Sequence, residues 1–384
     1  QKVYVADNGT RSVNSGWNVK VFNNGAHAYI IGDNEGVTFS PRGVGADSTG
    51  GIYVMHLSPT PSNLSHIEKF SENADGTAAF AHSQQITHYG GIGLPGPCNW
   101  GVGDLRRIDV ALVDDTIYAA DASGVWNTTC GGNNNAPGGR GPGSYGYVAR
   151  YPGSGGTVID SRHTHAINIQ GLQWHNGSGA RTQQNGDLHI DQDSGDVYVG
   201  SGWNAFDLNA STQQIERFSA NLVQLSSFDI NDGGAGHASR TNALSDGSSI
   251  AVTPDGSIWF TSVLGGAGMG GWGHMGTLVK HDSAGNHIFT RSGKTIISGS
   301  TRNHFQWGGG IDVDDNGDLW FAETDRVIKF DGVTGDFINY PFGDTADQYD
   351  TNTYGQGAFA SGNGALEQIV VGRLPPVGSS IRIQ

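Results

Sequence analysis

Charge is scarce in this chain: Asp, Glu, Lys and Arg together make only 15% of its 384 residues. Acids outnumber bases by 36 to 21, and the formal net charge of −15 excludes a nucleic-acid or anionic-membrane partner held by bulk electrostatics. A local basic patch is the only cationic surface left open. No apolar run approaches the roughly 20 residues that a bilayer-spanning helix requires, so no membrane span is expected. Cysteine occurs twice, as Cys98 and Cys130. That count fits one disulfide made in an oxidising compartment, with two separate buried thiols as the alternative. Also missing are a Gly-x-Ser-x-Gly elbow, a phosphate-binding loop and a dinucleotide fingerprint, which leaves serine-hydrolase, kinase and dinucleotide chemistry without support. The chain opens on Gln1 rather than Met, as a secreted protein does after signal removal and as an engineered chain also can. A secreted, extracellular or periplasmic location is the expectation.

What is present is glycine, 62 copies, with 36% hydrophobic and 9% aromatic residues. That is enough apolar material for a core, so disorder is not expected. Internal repetition carries the most information. An apolar strand, a tight turn and a second strand with an aromatic residue recur from Val44 to Val54, Ile108 to Ala119, Leu188 to Val199, Ile250 to Phe260 and Ile311 to Phe321. Each second strand carries a marker pair: Ile52-Tyr53, Ile117-Tyr118, Val197-Tyr198, Ile258-Trp259 or Leu319-Trp320. A third strand follows with an apolar, then a basic, then usually an aromatic residue, as in Ile67-Glu-Lys-Phe70 and Val327-Ile-Lys-Phe330. A fourth strand is expected to be shorter and weaker. The period-2 alternation marks half-buried strands, and four antiparallel strands per repeat make a propeller blade.

The ends supply one more blade. Val3–Val5, Val19–Phe22 and His27–Ile31 read as second, third and fourth strands with no first strand before them, while Leu366–Val371 reads as a lone first strand. Joining them closes a ring and leaves no free inner edge. The fold class is therefore all-β, a six-bladed β-propeller with four antiparallel strands per blade, closed by pairing of the C-terminal strand with the N-terminal strands. Residues 1–373 form this single domain, and 374–384 form a polar tail or linker.

Two lines carry a resemblance: Gly310-Ile-Asp-Val-Asp-Asp-Asn-Gly-Asp-Leu-Trp-Phe-Ala322 and Ser249-Ile-Ala-Val-Thr-Pro-Asp-Gly-Ser-Ile-Trp-Phe260. They resemble the NHL-type and TolB-like six-bladed propellers, which include gluconolactonase-like hydrolases, paraoxonase-like enzymes and peptidyl-amidoglycolate lyases. The motif is architectural, so it implies a fold and suggests a function. The resemblance also implies one divalent cation, calcium, held by Glu, Asn and Asp before the innermost strands. Here Glu367 matches in register, Asn185 sits one residue early and Asp246 two early, while arginines occupy two other blades. The zinc-binding relatives imply a histidine at such a place, which only His304 approaches. The acidic run from Asp312 to Asp318 lacks the twelfth-position glutamate of a calcium loop and reads as a β-turn. Met269, His274 and Met275 are a weak copper set.

Loop length locates the working face. Turns between first and second and between third and fourth strands are short, whereas residues 82–105, 121–146, 160–184, 229–247, 262–276 and 290–308 form long loops on the opposite face. Long loops on a rigid scaffold concentrate binding and catalysis. Most of the histidines and tryptophans fall there. Residues just before the innermost strands should ring the channel mouth: Arg42, Arg106 and Glu367, with Asp187 and Trp307 beside them, form the expected ligand-binding set. His165, His175 or His304 is the expected catalytic base. The resulting expectation is a lyase or hydrolase acting on an extracellular glycan or small anionic ligand. The alternatives are a non-catalytic adhesion module and a block of a surface assembly, joined to further domains or subunits through the tail.

Overall fold

The computed structural model describes residues 1–8, 17–24, 26–31, 40–57, 65–73, 77–85, 105–121, 146–164, 184–202, 214–229, 249–263, 276–292, 296–297, 310–323, 326–343 and 366–372. They form six four-stranded antiparallel sheets. Blade 1 joins β24 (Leu366–Val371) to β1 (Lys2–Asn8), β2 (Trp17–Asn23) and β3 (Ala26–Ile31). Blade 2 holds β4 (Ser40–Ala46), β5 (Gly51–Leu57), β6 (Ser65–Glu72) and β7 (Ala78–Gln85). Blade 3 holds β8 (Leu105–Val110), β9 (Ile117–Asp121), β10 (Gly146–Tyr151) and β11 (Asp160–Thr164). Blade 4 runs β12 (Gln184–Ile190), β13 (Val197–Gly202), β14 (Gln214–Phe218) and β15 (Gln224–Asp229). Blade 5 runs β16 (Ile250–Val252), β17 (Ile258–Val263), β18 (Gly276–His281) and β19 (His287–Ser292). Blade 6 runs β20 (Ile311–Val313), β21 (Leu319–Glu323), β22 (Arg326–Phe330) and β23 (Phe337–Gly343). The protein is a six-bladed β-propeller.

Alternation along each strand builds the core. On β5, Ile52 and Val54 pack toward blade 1, whereas Tyr53 and Met55 pack toward blade 3. The same split repeats around the ring and yields six buried clusters, one in each gap between neighbouring blades. Blade 6 meets blade 1 through Trp320, Ala322 and Val327 against Val3, Val5, Ile369 and Val371. The ring is thereby closed, and β24 pairs with β1 from Val3 opposite Val371 to Asp7 opposite Leu366. One expectation is corrected: the fourth strands are not short, and β7 runs eight residues. Their alternation is weak in sequence because the outermost strand meets solvent along one edge, as the largely exposed β3 illustrates.

The third-strand basic residue has a physical role. Lys69 Nζ lies 4.8 Å from the Tyr53 ring centroid, Lys280 Nζ 4.9 Å from Trp259 and Lys329 Nζ 5.1 Å from Trp320. Such contacts contribute roughly 0.5–2 kcal/mol each. An acid in the short first turn completes the set: Lys69 reaches Asp47 Oδ2 at 2.9 Å, and Lys329 reaches Asp314 Oδ2 at 3.0 Å. Tyr53 then donates to the Gly153 carbonyl of blade 3 at 2.9 Å, and Tyr118 to the Ala220 carbonyl of blade 4 at 2.7 Å. The rhyme in the sequence is a set of clasps within and between blades on the short-turn face. The Asp314–Asp318 stretch is such a turn.

These clasps set an acid sensitivity. Burial alone would raise the Asp47 carboxyl, but Lys69 and the Gly51 and Thr49 donors outweigh it and hold it below the usual carboxylate range. Asp314 is lowered against burial in the same way by Trp320, Lys329 and the Asp318 amide. A depressed carboxylate contributes stability that is present above its unfolded value of about 3.9 and is lost as pH falls through the folded value. Urea midpoints should therefore drop steeply below about pH 4. The Asp47→Asn, Asp314→Asn double variant should be less stable at pH 7 and show a shallower acid limb. Parallel pH curves for the two proteins would remove these clasps from the account.

Candidate ligand site at the channel mouth

Antiparallel pairing puts the first-to-second and third-to-fourth turns at one end of every blade. The N-terminal ends of the six innermost strands consequently meet at the opposite end, where the long connections lie. At that end β24, β4, β8 and β12 each carry a β-bulge at the same level. Pairing skips from Pro41 to Gly43, from Leu105 to Arg107, from Asn185 to Asp187, and across Glu367. The extra residues are Arg42, Arg106, Gly186 and Glu367. Three of the sequence-expected mouth residues are thus bulge residues inside the strands rather than residues preceding them. Bulges re-aim the chain and are over-represented next to active sites and at barrel rims.

One residue deeper lies a polar tier. Arg107 Nε stands 3.2 Å from Asp187 Oδ1, and both side chains are almost fully buried. Asp187 also accepts from the amides of Leu188 at 2.8 Å and of Ile250, on the next blade, at 3.0 Å. Burial pushes its carboxyl up to about 6, against the lowering effects of Arg107 and the two amides, while Asp312 adds to the rise. Gln368 of blade 1 sits at this level too, buried against β4 and β8. Two residues further down, Asp109 and Asp312 each take the amide of the following residue and an amide of the next blade: Ile190 at 2.8 Å and Val371 at 2.7 Å respectively. His189 Nδ1 lies 3.8 Å from Asp109 and 3.7 Å from Asp312. A buried carboxylate that accepts backbone amides from two blades holds inner strands together.

The expected site residues divide accordingly. Asp187 is described in full and is an inter-blade clasp with an arginine partner. Arg42, Arg106, Asn185 and Glu367 are placed by backbone alone, with the two arginines and the glutamate at one level on three adjacent blades and Asn185 one residue above it. His165, His175, His304, Trp307, Asp246, Cys98 and Cys130 lie outside the described residues, as does 374–384. Among the described residues no group of three His, Cys, Asp or Glu could hold a metal ion, and no helix is long and apolar enough to cross a membrane. Of the calcium set, the backbones of Asn185 and Glu367 differ by one level, and two arginines share the level of Glu367. Sequence reading missed Gln368, Asp109, His189 and Asp312. The available signal was a polar side chain inside an otherwise apolar, buried strand.

No family model matches the chain, and no curated protein matches it. Solved structures do resemble it. A putative 6-phosphogluconolactonase from Bacteroides uniformis is 12% identical over 92% of this chain and 86% of that one, with a TM-score of 0.48. A periplasmic gluconolactonase from Pseudomonas aeruginosa is 9% identical over 88% and 94%, at 0.46. An α-L-arabinofuranosidase of Fusarium graminearum, in complex with arabinobiose, is 13% identical over 78% of each chain, at 0.47. Likeness at this level carries no argument about activity.

Proposed function

We propose that the long-loop mouth is the ligand site of a secreted lyase or hydrolase acting on an extracellular glycan, or on another carboxylate-bearing substrate. The observation that supports this is the bulge shared by Arg42, Arg106, Gly186 and Glu367 at one level of four adjacent blades. A bulge sacrifices ladder pairing, and four in register mark a position where the chain serves something other than the sheet. Two guanidinium groups on neighbouring blades suit a carboxylate, which arginine grips in bidentate fashion. Neutralising that carboxylate acidifies the adjacent C–H. A base drawn from His165, His175 and His304 then removes the proton, and the electron pair forms the double bond as the leaving oxygen departs. Trp307 would stack on a sugar face. A calcium ion held by Glu367, Asn185 and Asp246 is disfavoured by the two like charges at its own level, so no step is routed through it.

The test is the Arg42→Ala, Arg106→Ala double variant, titrated calorimetrically with trigalacturonate and with its methyl ester. Charge-assisted contacts contribute about 1.5–3 kcal/mol each, so the acid should lose roughly 100-fold or more in affinity. The ester should bind weakly to both proteins, and the melting temperature should stay within a few degrees. Unchanged affinity would put the site elsewhere, and unfolding would make the arginines structural pins. EDTA should leave wild-type binding unchanged. Binding lost in EDTA and restored by calcium would install the cation reading instead.

A further inference from the structure

Gln368 is the residue immediately after the Glu367 bulge, and its side chain crosses to two other blades. Its Oε1 accepts from the Val44 amide of β4 at 3.0 Å and from the Ile108 amide of β8 at 3.4 Å. Its Nε2 donates to the Ile108 carbonyl at 2.7 Å. The oxygen faces two N–H groups and the nitrogen faces a carbonyl, so the partners themselves fix the orientation of the amide. The side chain is only 5% exposed. Val44 and Ile108 are each two residues after a bulge residue, Arg42 and Arg106 respectively. One neutral amide therefore ties together the three blades whose bulges carry the charged residues of the mouth.

The neighbouring strands leave room for this amide. A Cβ at Gly43 would stand 3.0 Å from Gln368 Oε1, and one at Gly310 would stand 3.0 Å from Gln368 Cγ. These glycines are the residues of blades 2 and 6 that share its level, on either side of it. Three other contacts between inner strands are stitched pairwise by carboxylates: Asp109 to Ile190, Asp187 to Ile250 and Asp312 to Val371. Gln368 both accepts and donates, and it spans three strands rather than two. A carboxylate could not donate to the Ile108 carbonyl, and it would put a negative charge beneath the mouth.

We propose that Gln368 is the positioning residue of the mouth, holding Arg42, Arg106 and Glu367 in one plane for an anionic ligand. The inference rests on the mouth reading above and adds a residue that does not itself touch the ligand. Gln368→Met keeps length and loses all three bonds, while Gly43→Ala presses on the amide oxygen. Val279→Ala, a core truncation in blade 5, supplies a control with a comparable or larger loss of stability. Trigalacturonate affinity should fall at least tenfold in Gln368→Met and less in Gly43→Ala, and should be unchanged in Val279→Ala. Hydrogen exchange resolved to single amides should accelerate at Val44 and Ile108 in Gln368→Met, and not in strand 311–313.

Each outcome decides. Wild-type affinity in Gln368→Met, alongside lost affinity in the arginine double variant, overturns the role of Gln368 and leaves the mouth reading standing. Equal affinity losses in Gln368→Met and Val279→Ala reduce Gln368 to general stability and also overturn the proposal. If the wild type fails to bind the probe, or the arginine variant retains binding, the mouth reading falls. Exchange at Val44 and Ile108 then shows separately whether Gln368 tethers these strands, and unchanged exchange there removes that role as well.

Discussion

Removing residues 365–384 should abolish cooperative folding altogether rather than lower its midpoint. The deletion takes away β24, the innermost strand of blade 1, and leaves β1 as an open edge at the wall of the central channel. Two of the six inter-blade clusters lose members at once: Ile369 and Val371 from the contact with blade 6, and Val370 from the contact with blade 2. At about 1.5–3 kcal/mol for each buried aliphatic side chain, these three alone approach the 5–15 kcal/mol by which folded domains are ordinarily stable. The Asp312 carboxylate also loses the Val371 amide, and the Gln368 ties to β4 and β8 vanish. Urea unfolding followed by circular dichroism should show a broad, non-cooperative change in the truncated chain. A peptide of residues 365–384 added in trans should restore part of the transition. A truncated protein that melts in one sharp step near the wild-type temperature would refute closure as the stabilising event.

Blade number and closure were legible in the sequence because the repeat is written in residues that must be buried. Ile52-Tyr53 and its four counterparts send one side chain into each flanking gap, and that duty tolerates few residue types. The lone strand at Leu366–Val371 was legible for the same reason, since an apolar run with no partner nearby in sequence needs one far away. The fourth strands were read as too short because solvent along one edge relaxes their pattern. At the mouth, register counting from the apolar residue found Arg42, Arg106 and Glu367 at a common level. The bulge that unites them was not legible, because it is a property of pairing between two strands. Nor was the role of Gln368, whose partners are backbone groups of β4 and β8, and backbone groups leave no trace in side-chain identity. Asp187 shows the converse: its position suggested ligand binding, yet both its oxygens are engaged by backbone amides or Arg107.

Glu323→Ala should destabilise the protein by about 3–5 kcal/mol, the usual cost of breaking a buried ion pair from one side. Glu323 ends β21 and Arg326 begins β22, so they face each other across the shortest connection on the long-loop face, residues 324–325. Arg326 Nε lies 3.2 Å from Glu323 Oε2, and both side chains are 0% exposed. The guanidinium also stands 4.8 Å over the Tyr340 ring, which retains Arg326 near its place but cannot replace a neutralising carboxylate. Glu323→Ala therefore takes a carboxylate away from a buried cation, whereas Glu323→Leu with Arg326→Met removes both charges and keeps the volume apolar. The double variant should recover most of the lost stability, because desolvating two ions offsets much of their mutual attraction. Urea denaturation of the wild type, Glu323→Leu, Arg326→Met and the double variant yields the coupling directly, with Glu323→Ala measured alongside. A double variant as unstable as Glu323→Ala would show that the pair is a net stabilising contact rather than two charges that compensate each other. A single variant within about 1 kcal/mol of wild type would mean that water or another group takes over the role of the carboxylate.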